Sequence, residues 1–194
     1  MTEPRGYSIA FARDMIPAMM APYSAALPPI YEKYGGAYIA IGGPGRGVDW
    51  LWGDWNDRLI MIGEFANREA VGEFWWGPEY RAASKLRKGA VTVDVAQVGG
   101  AGAPPAAGLQ SFLLVVWPGD GAWRPPETTA GVTLIAADAA QVTTLEGDLS
   151  GLSLTLLGFP DRASLDDAWQ QAADPLRNSN ARVGAVNRAA AQTT

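Results

Sequence analysis

Apolar and polar positions along the chain change period repeatedly, and the changes mark out short strands and helices. Gly6 to Ala12 ("GYSIAFA") alternates and is apolar enough for a buried strand. Met15 to Gly36 reads as helix but carries Pro17, Pro22, Pro28 and Pro29. Each internal proline removes a backbone hydrogen bond, so a kinked or two-piece helix is expected. Asp14 stands where it can cap that helix, and Gly35-Gly36 where it can end it. Ala37 to Gly43 is a short strand, and Val48 to Trp55 a second extended piece. Arg58 to Phe65 ("RLIMIGEF") is almost wholly apolar, which predicts a central strand covered on both faces. Asn67 caps a helix over Arg68 to Trp76, and Gly77-Pro78 breaks it and opens another. Lys85, Arg87 and Lys88 sit near the end of that second piece, where the helix dipole favours positive charge. A strand from Ala90 to Val98 completes β-α-β-β-α-β, the ferredoxin-like order.

Gly99 to Gly108 ("GGAGAPPAAG") reads as a linker, after which the pattern starts again. Ser111 to Trp117 is a strand. "PGDGAWRPPETTAG" then stands where the first half has its long helix, and its prolines and glycines predict a loop. A strand from Val132, a strand–turn–strand over Gln141 to Pro160 and a helix capped by Asp161 follow. Asp174-Pro175 is expected to start a further short helix, and Ala181 to Ala190 to be the closing strand. The two halves share a register. "LWGDWNDRLIMIGEF" from Leu51 and "LEGDLSGLSLTLLGF" from Leu145 align without a gap at an offset of 94 residues. The same offset aligns Trp75 with Trp169, which points to a tandem duplication and to core roles for both tryptophans. The domain reading is residues 1–98 as the first repeat, 99–109 as linker and 110–194 as a degenerate second repeat lacking the first helix.

Composition narrows the chemistry. The chain has neither Cys nor His, so it has no thiol nucleophile, no disulfide and no imidazole base or ligand. Its net charge is −5, without a basic run, which argues against nucleic acid as a partner. No apolar run approaches a membrane span or a signal peptide, so a soluble, cytoplasmic protein is expected. "GGPGRG" (Gly42 to Gly47) lacks the Lys-Ser/Thr of a P-loop and reads as a turn. No carboxylate cluster has metal spacing. Neither a metal nor a cofactor is therefore expected.

The first half can be placed by its motifs. "YEKYGGAYIAIGG", "LWGDWNDRLIMIGEF" and "EFWWGPEYRAASKLRKGAV" resemble the family called domain of unknown function 1330. Its pattern has Tyr-Gly-Gly before a strand, a Glu-Gly-Asp turn, an Arg-led apolar strand ending Glu-Phe, and a Ser-Pro-Glu-Tyr helix start. The second half matches weakly, through "LEGDL", "LLGFP" and Trp169. The resemblance implies the dimeric α/β-barrel superfamily, in which two four-stranded sheets pack face to face. The fold class expected is α+β: tandem ferredoxin-like repeats forming an intramolecular dimeric α/β-barrel, a pseudodimer, with further homodimerisation left open. The family's Glu-Gly-Asp glutamate is Trp52 in the first half and survives as Glu146 in the second.

The candidate site follows from what the copies do not share. Glu64 ends its strand on the face of Arg58, Ile60 and Ile62, where a partly desolvated carboxylate suits acid–base work. A salt bridge at the sheet end is the plainer reading of it. Trp50 and Trp52 share a strand face and, with Tyr38, are candidates for an aromatic pocket, against ordinary core. Asp54 follows Gly in both copies, as does Asp148, which favours a turn cap; Asp94 points away from Val91, Val93 and Val95. Tyr80 and Arg87 read as structural, although they fall at family positions. Glu64, Arg58 and Tyr38 are thus the expected catalytic residues, and Trp50, Trp52, Asp54 and Asp94 the expected binding residues. The expected substrate is a hydrophobic, polyketide-like small molecule. The reaction is expected to be a cyclisation, isomerisation or elimination. The alternatives are a cofactor-free monooxygenase and a non-catalytic binding protein.

Overall fold

The computed structural model describes residues 3–189 except 104 and 128. Met1, Thr2 and residues 190–194, including the expected end of the closing strand at Ala190, lie outside the described residues. The first repeat contains β1 (Gly6–Arg13), α1 (Pro17–Lys33), β2 (Ala37–Pro44), β3 (Gly47–Trp52) and β4 (Leu59–Phe65). It continues with α2 (Arg68–Trp76), α3 (Pro78–Ser84), a 3-10 turn (Lys85–Arg87) and β5 (Thr92–Gly99). The second contains β6 (Ser111–Pro118), β7 (Val132–Ala137), a 3-10 turn (Ala139–Gln141), β8 (Thr143–Glu146), β9 (Leu152–Phe159), α4 (Arg162–Arg177) and β10 (Arg182–Asn187). The described residues between β6 and β7 form no helix.

All ten strands join one curled sheet in the order β7-β9-β6-β10-β3-β2-β4-β1-β5-β8. Within it the ferredoxin-like order appears twice, as β2-β4-β1-β5 and as β7-β9-β6-β10. The two remaining strands change sides. β3 of the first repeat pairs with β10 of the second, and β8 of the second pairs with β5 of the first. This exchange ties the halves into a pseudodimer through backbone hydrogen bonds as well as through the core. The inner face of the curl is packed solid by Tyr7, Ile9, Phe11, Ile60, Ile62, Phe112, Leu114, Leu154 and Leu156. The outer face of the first half lies under α1, α2 and α3, and that of the second under α4 and the β6–β7 loop.

The recurring Gly-Asp turn finds its reason in the exchange. Gly53 has φ +95 and a Cβ there would stand 2.8 Å from the carbonyl oxygen of Ala181; Gly147 has φ +75 and would meet Asp94. Each turn therefore docks on the last strand of the other repeat, so close that only glycine fits. Gly147→Ala is expected to destabilise the fold by about 2–3 kcal/mol, from a left-handed backbone and a clash together. Gly151→Ala has a similar φ of +69 but nothing within 4 Å, and is expected to cost only about 1 kcal/mol. Paired denaturant melts measure the difference.

Three local expectations change. α1 runs unbroken from Pro17 to Lys33 over Pro22, Pro28 and Pro29. Burial of Tyr23, Leu27, Ile30 and Tyr31 along one helical face holds it together where propensity alone would break it. Asp14 does not cap it. The N-cap is Ile16, and Asp14 is left-handed (φ 55) and paired with Arg13. Pro17, in the first turn, has no N–H to be capped. Finally, Asp174-Pro175 starts no new helix, since α4 continues through Pro175 to Arg177. One lost N–H near its end is outweighed by the burial of Leu165, Trp169, Ala172 and Leu176. Asn67 and Asp161 cap as expected, accepting from the backbone N–H of Ala70 at 2.9 Å and of Ser164 at 2.7 Å.

Candidate active site

The outer face of β1 presents Ser8, Ala10 and Ala12, alternating with the large inward residues Ile9 and Phe11. Small side chains in the centre of a sheet leave the helix above them nothing to fill the space. The result is a cavity of about 280 Å³ between α1 and the first-half sheet. Its floor is Ser8, Ala10, Ala12, Met61, Val93 and Val95; its roof is Met20, Tyr23, Ser24, Leu27 and Tyr31 of α1. Exposed Met15 and Ile41 stand on its wall and mark the mouth. The matching face of the second half is filled among the described residues. Leu113 and Val115 of β6 carry larger side chains there, and Trp123 of the loop is buried with them and with α4.

A run of aromatic rings forms one side of the cavity. Centroid separations are 4.3 Å for Tyr31–Tyr38, 4.5 Å for Tyr31–Phe74, 4.7 Å for Phe74–Tyr80 and 4.5 Å for Trp75–Tyr80. Tyr23 and Tyr80 share a hydrogen bond between hydroxyls at 3.2 Å. Burial pushes the Tyr31, Tyr38 and Tyr80 phenols above the usual tyrosine range, so at neutral pH they are proton-bearing donors.

Arg87 closes this corner. It is buried, lines the cavity, and sets its guanidinium 5.5 Å from the Tyr23 ring centroid. Burial works against its charge. Hydrogen bonds to Glu146, with the facing Tyr80 and Tyr23 hydroxyls, outweigh that and hold its pKa above the ordinary arginine value. Its two terminal nitrogens donate to the two Glu146 carboxylate oxygens at 2.9 and 2.5 Å. No Asp or Glu lies on the cavity wall. The arrangement is a largely apolar space with hydrogen-bond donors gathered at one corner.

Of the residues expected from sequence, Tyr38 is on this wall. The others are elsewhere. Glu64 is buried at one end of the barrel, where it accepts from the Tyr7 hydroxyl (3.1 Å) and the Ala106 backbone N–H (3.0 Å), with Arg5 at 3.6 Å. It thus anchors the inter-repeat segment. Arg58 lies at the other end of the same strand, six residues and about 20 Å away. It pairs with Asp94 at 2.8 Å and stacks 4.0 Å from the Trp55 ring centroid. Asp94 also accepts from the Asp148 backbone N–H at 3.1 Å, so Arg58 and Asp94 brace the second repeat's turn. Asp54 pairs with Arg182 of β10, which holds its carboxyl below the usual range. Trp50 donates to the Arg58 carbonyl at 2.9 Å and packs on the barrel core. Trp52 is 37% exposed and reaches the Ser179 carbonyl at 3.5 Å.

Tyr23, Tyr31 and Ser8 were not singled out by sequence, and Tyr80 and Arg87 read as structural. The signal was present in two places. Tyr23, Leu27 and Tyr31 recur at helical spacing on one face of α1. Ser8, Ala10 and Ala12 are small where the second half has Leu113 and Val115.

Fold and cavity together define a pseudodimeric α/β-barrel protein with a cavity under the helices of its first half. The chain belongs to the family described as Domain of unknown function (DUF1330), whose model matches residues 5–101. A protein of unknown function from Rhodopseudomonas palustris is 22% identical, over 50% of this chain and 82% of its own, at a TM-score of 0.39. Other solved structures are similar over the whole chain, among them the following two. A candidate monooxygenase from Lactobacillus acidophilus NCFM is 8% identical, over 96% of this chain and 94% of its own, at a TM-score of 0.50. A mutant chlorite dismutase from Candidatus Nitrospira defluvii is 10% identical, over 96% and 93%, also at 0.50. At these identities the likeness is one of fold. No curated protein matches the chain. No helix among the described residues is long and apolar enough to cross a membrane.

Proposed function

We propose that this protein is an enzyme that oxygenates a flat, apolar, weakly acidic small molecule in the α1 cavity, without a bound cofactor. The reaction class is oxidation of an activated methylene to a ketone by molecular oxygen. Two C–H bonds break, one oxygen atom enters the new carbonyl, and the other leaves as water with both hydrogens. The substrate itself is the reductant. The observation that carries the reading is the Tyr23–Tyr80–Arg87 corner in a largely apolar wall whose other hydroxyls are those of Ser8, Ser24, Tyr31 and Tyr38. The weakly acidic substrate gives one proton to solvent at the cavity mouth, and the enolate-like anion left behind is electron-rich enough to meet oxygen; that proton returns in the water formed. Phenolic and guanidinium donors held in a dry site strengthen their hydrogen bonds as that oxygen gains charge.

A cyclase, isomerase or lyase must move a proton to and from carbon within the cavity and so needs a resident acid–base group, whereas the oxygenation needs only the loss of one acidic proton to solvent. The wall supplies no carboxylate, and burial raises its phenols, which weighs against that class. Glu64 and Arg58 stay available to it only outside the cavity.

Anthrone, tricyclic with one activated methylene, is a suitable test substrate. The expected result is protein-dependent oxygen uptake of one O2 per substrate, with one labelled oxygen in the ketone when 18O2 is supplied. Ala10→Phe, which places a ring in the cavity, is expected to abolish it. Equal uptake by Ala10→Phe would place the chemistry elsewhere. Recovery of the compound unchanged after tight binding would make the protein a carrier.

A further inference from the structure

We infer that the second repeat completes the first repeat's site: Glu146 is the fixed counter-ion of Arg87, and it restricts the cavity to ligands that arrive uncharged. This rests on the cavity being the ligand site, as proposed above, but not on the reaction being an oxygenation.

The pair is built across the repeats. Arg87 ends the 3-10 turn after α3, while Glu146 ends β8, the strand the second repeat lends to β5. The two meet as a fork, with both guanidinium terminal nitrogens on both carboxylate oxygens. Such geometry is directional and leaves little freedom to either group. The turn behind Glu146 is fixed in its own right, because Gly147 lies against Asp94 and the Asp148 N–H donates to it. Arg58 holds Asp94 in turn.

The pseudo-symmetric position shows what was lost. Trp52 stands where Glu146 stands, and it reaches a backbone carbonyl beyond α4 instead of an arginine. The space that would be the second cavity is filled by Trp123 and its neighbours. Duplication thus kept one cavity and one arginine–carboxylate pair, and placed the halves of that pair on different repeats.

The pair sets the charge of the site. The Arg87 guanidinium already has a full carboxylate partner, so a ligand that arrives with a localised negative charge is opposed by Glu146, whereas charge that develops on one oxygen and spreads over a flat ring system is still met by the free guanidinium N–H and the phenols. A carbonyl or hydroxyl oxygen accepts from the remaining guanidinium N–H and from the phenols without disturbing the pair. Arg81, Lys85 and Lys88 lie nearby on the exposed side, where solvent and salt screen them.

Two fluorescent probes of the same skeleton test this: neutral N-phenyl-1-naphthylamine and its sulfonate, 1-anilinonaphthalene-8-sulfonate. The unsubstituted protein is expected to bind the neutral probe at least about tenfold more tightly. In Glu146→Gln the anionic probe is expected to gain about tenfold while the neutral one moves less than about twofold. Glu146→Asp is expected to restore discrimination in part, and Arg87→Gln combined with Glu146→Gln to remove the gain. A purely structural Glu146 would move both probes together, and that outcome overturns the inference. Unchanged binding of both probes to Ala10→Phe overturns it together with the cavity assignment. Missing oxygen uptake with discrimination intact overturns the oxygenation reading alone.

Discussion

Arg87→Met is expected to lower oxygen-dependent turnover of anthrone by about two to three orders of magnitude, with the neutral probe bound within about threefold of its original affinity. Methionine keeps most of the length and the apolar contact with the Tyr23 ring but removes every donor. An interaction that grows with charge on the substrate oxygen is worth most in the transition state, so its loss falls on kcat. Removal of one well-placed donor to a developing oxyanion typically costs about 10²–10³ in rate. A folding defect is a separate readout. Breaking a fully buried ion pair destabilises by about 3–5 kcal/mol because the remaining charge is stranded. Here the remaining Glu146 side chain is 41% exposed and is solvated instead, so the melting transition is expected to shift less than that range implies. Steady-state oxygen consumption beside a thermal melt separates the two effects. A variant as active as the parent would remove Arg87 from the chemistry.

The second large effect concerns where the empty space lies. Phe11→Ala is expected to destabilise by about 3–5 kcal/mol, the usual cost of a phenyl ring lost from a packed core. Phe11 is fully buried inside the barrel, edge-on to Trp55 at 4.8 Å between centroids. Neighbours from both halves of the curled sheet hold the hole open, and they cannot collapse without moving backbone. Met20→Ala, on the roof of the α1 cavity, removes a chain of similar reach from a site already partly empty. Its expected cost is below about 1 kcal/mol, because few contacts are lost and no new void is enclosed. Urea melts of the two variants give the contrast. Comparable losses would mean that the barrel interior is not the filled side of the sheet.

Reading the chain by its alternation placed the repeats, the ferredoxin-like order and the central position of Arg58 to Phe65, and each of these is local. Glu64 shows where such reading stopped. Face parity put it with Ile60 and Ile62, and it does share their inward face. Its partners Tyr7, Arg5 and Ala106 come from other parts of the chain, and no spacing names them. The same holds for Arg87. At the end of a helical stretch it reads as a dipole cap, and only packing shows it buried against Glu146, 59 residues away.

The tryptophans make the distinction sharpest. Trp50 and Trp52 are a matched pair by strand alternation, yet β3 is held by two residues to β2 and along its length to β10, which sets both side chains against the second repeat. The sequence alone determined the repeated turn, because a left-handed Gly followed by Asp is a property of four residues. It determined the caps at Asn67 and Asp161 and the apolar strands for the same reason. The tertiary structure decided which repeat each turn serves, which face of the sheet is filled, and that one cavity survives of two. Those outcomes depend on side-chain volumes meeting across elements far apart in the chain. The contrast of Ser8, Ala10 and Ala12 with Leu113 and Val115 becomes a cavity only once α1 lies over the first set and Trp123 over the second.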